Sequence, residues 1–179
     1  MCSAGMPGVC KDRLTDAFER YGRVPIVKRT VTVDAGHAVF RRRGEGPHWA
    51  AGGLVYDDQR RVLLIRNVPA SGWGDVWVAP GGWLEEGEST GDGFRRELRE
   101  EVGLEVGDLR LTRIYNEAFT DGSRVLHAYF AQFVAPAKST QVRLAPDVRE
   151  AAWFEVQPEA MAFREDYAED FRRVVDATF

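Results

Sequence analysis

The most informative part of the sequence is residues 82–104, which read GWLEEGESTGDGFRRELREEVGL. The second half of this stretch is typical of a helix, and in a helix Glu97, Glu100 and Glu101 stand at positions i, i+3 and i+4. Three carboxylates then share one face within one turn, where like charges repel each other. A bound divalent cation reverses that repulsion by taking the oxygens as ligands, so the pattern indicates a metal site.

The predicted helix, residues 89–102, carries its own start, stop and anchoring signals. Ser89 can cap the first turn, and Gly103 stands where a helix C-terminus favours glycine. Phe94 and Leu98 lie four residues apart on another face, so we expect them to fix the helix to the core. The acidic face is then held in one position.

Two further features of the stretch concern the loop before the helix. Arg96 lies beside the acidic face and could reach Glu88, which would hold that loop against the helix. Gly91 and Gly93 fall in the first helical turn, where glycine is a poor helix former. Their presence indicates that the backbone approaches another group closely there.

The stretch resembles the sequence box of the Nudix hydrolase superfamily. All the fixed positions of that box are matched here, by Gly82, Glu88, Arg96, Glu97, Leu98, Glu100, Glu101, Gly103 and Leu104. The resemblance spans about residues 48–154. It implies an α/β fold, the Nudix α/β/α sandwich with a mixed β-sheet, to which this chain adds an N-terminal helix and strand extension.

The resemblance also implies roles for individual residues. The implied ligands of Mg²⁺ (or Mn²⁺) are Glu97, Glu100, Glu101 and the carbonyl of Gly82. The implied orienting ion pair is Arg96 with Glu88. The residues assigned to catalysis are Glu100, Glu101, Arg96 and Glu150. Glu100 and Glu150 are alternative general bases, because family members take the base either from the box helix or from a late acidic loop.

The implied activity is a divalent-metal-dependent hydrolase that cleaves a diphosphate bond in a nucleoside diphosphate linked to another moiety. Its partner would be a small nucleotide diphosphate, whose charge the metal neutralises while lowering the pKa of an attacking water. The alternative is a catalytically silent Nudix-fold module that binds and senses a nucleotide metabolite. Such modules tend to lose box carboxylates, and this chain keeps all of them, which favours the enzyme.

Residues outside the box give weaker predictions about the substrate. Arg66, at the end of an apolar run, and the arginine triplet 41–43 could contact phosphate. Trp49 and Phe119 could stack on a base. Many ADP-ribose pyrophosphatases have a proline downstream of the box, and residues 105–135 contain none, which disfavours that subfamily.

Length and composition describe an ordinary globular protein. The chain has 179 residues, which suits one domain, and a net charge of −4, which disfavours a broad nucleic-acid-binding surface. Cys2 and Cys10 lie in the first ten residues without a metal-ligand pattern. No apolar run is long enough to span a membrane and the start lacks a secretory signal, so we expect a cytoplasmic protein without a membrane partner.

The N-terminal extension is expected to cover residues 1–47. It would have a flexible start, a short helix over residues 12–21, and extended structure over residues 26–40. The turn residues 34–36 could fold that extended part into a hairpin. The extension could add strands to the sheet, cover the substrate pocket or build a homodimer, and these alternatives stay open.

The Nudix hydrolase domain is expected to cover residues 48–179. The pattern predicts a strand pair over residues 49–56 and 61–66, and a hairpin whose Asp121-Gly122 turn joins residues 109–119 to 125–134. A closing helix is predicted over residues 158–175.

Overall fold

The computed structural model describes residues 11–44 and 47–179. The predicted flexible start, with Cys2 and Cys10, lies outside the described residues. The helices and strands are α1 Lys11–Tyr21, β1 Ile26–Thr32, β2 His48–Tyr56, β3 Val62–Asn67, β4 Gly81–Trp83, α2 Thr90–Val102, β5 Arg110–Thr120, β6 Val125–Pro136, β7 Val148–Phe154 and α3 Arg164–Val175.

The strands form one mixed sheet in the order β1-β5-β6-β2-β3-β7, and β4 pairs with β2 beside this path. The pairs β1–β5 and β2–β6 are parallel, while the pairs β2–β3, β2–β4, β3–β7 and β5–β6 are antiparallel. β1 pairs with β5 along its full length, from Ile26 to Thr32. The strand of the N-terminal extension is therefore an integral edge of the sheet.

Helices cover both faces of the sheet, as expected for an α/β/α sandwich. On one face Phe94 and Leu98 of α2 and Ala17 of α1 share a buried cluster with Trp49 of β2. On the other face α3 packs Tyr167 and Phe171 into a second cluster that includes Leu54 of β2. Because alternate residues of a strand point to opposite faces, one strand supplies side chains to both layers.

The two glycines in the first turn of α2 lie in close contact with neighbouring elements. A Cβ on Gly91 would overlap the Tyr21 hydroxyl of α1, and one on Gly93 would overlap the side chain of Leu84. The predicted close approach is thus present. It is the packing of α1 and of the preceding loop on the start of α2.

The closing helix begins later than predicted, at Arg164 instead of residue 158. The reason is tertiary pairing: the Trp77 N–H donates to the Ala160 carbonyl (2.8 Å), and the Ala162 N–H donates to the Trp77 carbonyl (2.9 Å). These bonds hold residues 160–162 beside residue 77, so their backbone is not available for a helix.

The turn at residues 34–36 does not produce a hairpin. The chain continues into a short 3-10 helix, Ala38–Arg41, whose first turn is capped by His37 Nδ1 accepting from the Val39 N–H (3.2 Å). Arg124 of the β5–β6 hairpin donates to the Ala35 carbonyl (2.6 Å), which ties this turn to the sheet. These contacts leave no second strand in this segment.

None of the helices in the described part of the chain is long and apolar enough to span a membrane. The cytoplasmic location, the division at residue 47 and a homodimer through the extension stay predictions.

Candidate active site

Arg96 and Glu88 form the ion pair that the sequence pattern predicted. Arg96 Nε donates to Glu88 Oε1 (2.9 Å) and Nη2 donates to Glu88 Oε2 (3.1 Å). Arg96 Nη2 also donates to the Trp83 carbonyl (2.9 Å), and the Glu85 N–H donates to Glu88 Oε2 (2.9 Å). The hydrogen bond to Glu88 raises the pKa of Arg96. This network fixes the loop between β4 and α2 against the helix.

The same guanidinium reaches the acidic face of α2. Its Nη1 donates to Glu97 Oε1 (2.8 Å) and to Glu100 Oε2 (2.9 Å). The Glu97 side chain is 15% exposed and that of Glu100 is 59% exposed. Burial raises the pKa of Glu97 even though the Arg96 hydrogen bond opposes the shift. Arg96 therefore organises the carboxylates of the box around one cation.

The backbone at the start of β4 is in close contact with two of the glutamates, Glu97 and Glu101. The Gly81 N–H donates to Glu101 Oε2 (2.9 Å). A Cβ on Gly82 would lie 2.5 Å from the carboxyl carbon of Glu97, so only glycine lets the strand pass this close. Burial raises the pKa of Glu101 to about 8; the Gly81 hydrogen bond opposes this shift, and the charge of Glu97 adds to it.

The chemistry of this cluster fits a hard divalent cation. In residues 11–44 and 47–179 no three His, Cys, Asp or Glu side chains are arranged to hold a metal ion directly. Arg96 binds two of the implied ligands, Glu97 and Glu100. The donors are nevertheless carboxylate and backbone oxygens, the type that Mg²⁺ prefers. Glu101 is a buried carboxylate whose charged form a cation would stabilise.

Glu150 lies on β7 and not in a loop as expected, because β7 pairs with β3 and places Glu150 opposite Arg66. Arg66 Nη1 is 3.4 Å from Glu150 Oε2, and the Arg66 guanidinium lies 4.3 Å from the centre of the Trp77 ring. Arg66 Nε is buried without a hydrogen-bond partner among the described residues. These two predicted site residues contact each other and not the glutamates of α2.

Trp49 and Phe119 are packing residues, contrary to the expectation that they stack on a base. Trp49 is 2% exposed and lies against Tyr129 with ring centres 4.8 Å apart. Phe119 is 4% exposed and packs with Val39 and Ala128. The strands point both side chains into the protein, so neither offers a free ring face to a ligand.

Two groups near the glutamates were missed by the sequence reasoning. Gly81 supplies the N–H that binds Glu101. Asp147, just before β7, adds its charge to those that raise the pKa of Glu101. The first could have been found by asking which backbone amides flank Gly82. The second carries no signal, because an isolated aspartate in a loop is most often a solvated charge.

Comparison with known proteins gives one family. The family model described as NUDIX domain matches residues 46–176. The chain is 34% identical over 104 residues to the uncharacterized Nudix hydrolase YvcI of Bacillus subtilis, covering 58% of this chain and 62% of that protein. It is 32% identical over 71 residues to an 8-oxo-dGTP diphosphatase of Proteus vulgaris, covering 40% and 63%. An ADP-ribose pyrophosphatase of Methanocaldococcus jannaschii is 26% identical over 130 residues, covering 71% and 74%.

The fold is also that of solved structures. A MutT protein from Bacillus halodurans superposes with a TM-score of 0.57 at 25% identity, covering 72% of this chain and 82% of that one. A MutT protein from Methanosarcina mazei Go1 gives 0.54 at 23% identity, covering 73% and 97%. The chain spans about three fifths of the length of the Bacillus subtilis and Proteus relatives. With the family match extending over most of its length, this chain belongs to the NUDIX family.

Proposed function

We propose that this chain is a divalent-metal-dependent hydrolase that cleaves the diphosphate bond of a nucleoside diphosphate linked to another moiety. One observation carries the proposal. Arg96 binds Glu88, Glu97 and Glu100 together, while Glu101 is held on the Gly81 amide beside them. Such a concentration of partly buried carboxylates is costly for folding alone and is typical of a catalytic site.

Glu97, Glu101 and the Gly82 carbonyl would hold Mg²⁺ (or Mn²⁺), with Glu100 beside them. When bound, the ion would neutralise the charge of the diphosphate and lower the pKa of the attacking water. Glu88 acts through Arg96, because its bidentate bond fixes the guanidinium that in turn positions Glu97 and Glu100.

A proton must leave the attacking water, and we assign its acceptor to Glu100. This carboxylate is the exposed member of the cluster, so one of its oxygens can face the reacting water while the other stays bound to Arg96. Glu150 is the second candidate. Its carboxylate contacts Arg66 and none of the glutamates of α2, so it lies outside the cluster that would hold the ion.

The relatives support the reaction class and leave the substrate open. One is named for 8-oxo-dGTP and another for ADP-ribose; each compound contains a nucleoside diphosphate, and the two differ in the nucleoside and in the group attached to the diphosphate. We keep Arg66 as a phosphate contact, because its buried Nε has no hydrogen-bond partner among the described residues. A phosphate oxygen could accept from it.

The test is phosphate release, coupled to a phosphatase, from nucleoside triphosphates, nucleotide sugars, ADP-ribose and dinucleotides with Mg²⁺ or Mn²⁺. Glu101→Gln should lower turnover more than about a hundredfold while the unfolding temperature is kept, because an amide is a poor metal ligand. Glu86→Gln, an exposed glutamate of the same loop, is the control and should be active. Normal turnover in Glu101→Gln would contradict the proposal. Nucleotide-induced thermal stabilisation without turnover in the unaltered protein would favour the binding module.

A further inference from the structure

A cavity of about 610 Å³ lies where the segment before β2 meets the β5–β6 hairpin. This volume lies in the range of small-molecule sites and suffices for a phosphorylated nucleoside. Its polar lining residues are Arg42, His48, Asn116, Arg124, His127 and Tyr129. Apolar groups such as Phe40 and Val125 complete the wall. The cavity can therefore contact both a charged group and a sugar or base.

The lining is electropositive although the chain carries a net charge of −4. Two arginines line the cavity, and no Asp or Glu from the described ranges 11–44 and 47–179 does. A concave surface with one sign of charge concentrates ligands of the opposite sign. The cavity thus favours an anion.

The two arginines have different roles. Arg124 Nε and Nη2 donate to Asp121 Oδ2 (2.8 and 2.7 Å), and Nη2 also donates to the Ala35 carbonyl. Its guanidinium lies 4.2 Å from the centre of the Phe40 ring. Arg124 is consequently a neutralised anchor that holds the segment before β2 on the hairpin.

Of the two arginines, Arg42 is the one that has no carboxylate partner among the described residues. Its guanidinium lies 4.8 Å from the centre of the Trp83 ring, and no carboxylate in the described part of the chain pairs with it. Burial lowers the pKa of Arg42, as expected for a partly desolvated cation without a counter-charge. Of the arginine triplet 41–43, Arg42 is the member that lines the cavity.

Trp83 connects this cavity to the glutamate cluster. The Arg42 guanidinium lies over the Trp83 ring, and this ring meets the His48 ring edge-on with centres 6.2 Å apart. The Trp83 carbonyl accepts a hydrogen bond from Arg96 Nη2. Trp83 directly follows Gly82, and consecutive Cα atoms are about 3.8 Å apart. Trp83 therefore contacts two residues of the cavity lining through its ring and the ion-pair network of α2 through its carbonyl.

We propose that the cavity is a subsite for a phosphate monoester on the second moiety of the substrate, with Arg42 pairing with that phosphate. Asn116 and the His48 imidazole offer hydrogen bonds to the attached sugar, and the apolar wall contacts the rest. Phe40 and Arg42 precede residue 46, where the family match begins, so this wall is a feature of this chain's own N-terminal segment. The inference rests on the proposed function only in taking the ligand to be a substrate.

Binding tests the subsite without catalysis. Calorimetric titration of the full chain in EDTA compares AMP with adenosine 2′,5′-bisphosphate and adenosine 3′,5′-bisphosphate. At least one bisphosphate should bind about tenfold more tightly than AMP, as expected for one charge-assisted contact. Arg42→Gln should abolish the difference, and Arg43→Gln, which does not line the cavity, should keep it. Equal affinities in the unaltered protein, or a difference that survives Arg42→Gln, would overturn the proposal.

Turnover then separates the subsite from the proposed function. With Mg²⁺, kcat/KM is compared for NADPH against NADH and for coenzyme A against dephospho-coenzyme A, pairs that differ by one phosphate monoester. A preference for the phosphorylated member that Arg42→Gln removes through KM supports both. Turnover without preference overturns the subsite and leaves the hydrolase. A binding preference without turnover of any panel substrate supports the subsite and counts against the hydrolase.

Discussion

At Gly82 the backbone of β4 passes so close to Glu97 that a single methyl group would touch the carboxylate. The neighbouring amide of Gly81 binds Glu101. The strand therefore sets the positions of two glutamates whose own helix fixes only their spacing. The acidic cluster depends on this strand contact as much as on the pattern within α2.

Gly82→Ala should leave the protein folded and lower its activity. The added Cβ would lie 2.5 Å from the Glu97 carboxyl carbon, and the side chain must turn away to relieve the overlap. We expect Mn²⁺ affinity and kcat/KM to fall about tenfold to a hundredfold, the range for displaced ligand geometry. Gly36→Ala, which meets open space, is the control. A Mn²⁺ titration with unchanged affinity in Gly82→Ala would show that this contact does not position the glutamates.

The roles of residues could be predicted only where a pattern is local. Glu88 and Arg96 lie within one loop and helix, so their spacing alone indicated the ion pair that the structure contains. The hydrogen bonds from Arg96 to Glu97 and Glu100 were not predicted. The residues predicted to contact the substrate, Arg66, Trp49 and Phe119, come from three separate strands. Whether Trp49 faces a ligand or the core depends on which strands flank it, which no local pattern determines.

Among the elements, the β5–β6 hairpin shows how a short turn organises a larger surface. Asp121 Oδ1 accepts from the Ser123 N–H (2.9 Å), the Ser123 hydroxyl (2.8 Å) and the Arg124 N–H (2.8 Å). The Asp121-Gly122 signal was visible in the sequence. The sequence did not show that Arg124 anchors the segment before β2, because this contact joins residues that lie far apart in the chain.

The hairpin should make stability depend on pH. The backbone hydrogen bonds from Arg124 and Ser123 hold the pKa of Asp121 well below its ordinary value of 3.8. A carboxyl whose pKa is lowered by folding stabilises the protein above its unfolded pKa, and this contribution is lost as the pH falls through the folded pKa. Urea unfolding at pH 5 and pH 3 should therefore show a smaller decrease for Asp121→Asn than for the unaltered protein.

Asp58→Asn, an exposed aspartate in another turn, controls for general acid effects in that measurement and should keep the full decrease. An equal decrease in Asp121→Asn would mean that other carboxyl groups account for the acid sensitivity.

Element boundaries were predictable where local signals and packing agree. The N-cap signal of Ser89 and the C-terminal glycine Gly103 predicted the two ends of α2 correctly. The start of α3 was missed because backbone pairing between residues 77 and 160–162, far apart in the chain, overrides a helical pattern. Such pairing depends on the assembled sheet.

At the scale of the whole molecule, Arg29 ties the N-terminal strand to both the sheet and α3. It binds Glu117 of β5 and Asp166 of α3, and its guanidinium lies between the rings of Tyr115 (3.8 Å) and Phe163 (4.3 Å). The Arg29 side chain is 15% exposed and that of Glu117 is 4% exposed. A strand outside the family match is thus secured by buried charge.

Arg29→Ala should lower the free energy of unfolding by about 3–5 kcal/mol, because it leaves the Glu117 carboxylate buried without its partner. Burial already raises the pKa of Glu117, and the charge of Arg29 opposes that shift. The double variant Arg29→Met with Glu117→Leu should lower the free energy of unfolding much less, because it removes both charges and keeps the side-chain volume. Lys28→Ala, exposed on the same strand, should change stability by less than about 0.5 kcal/mol. Urea unfolding of all three variants measures these values. If the double variant is as unstable as Arg29→Ala, the packing of Arg29 between the two rings, and not the pairing of charge, holds β1 in the sheet.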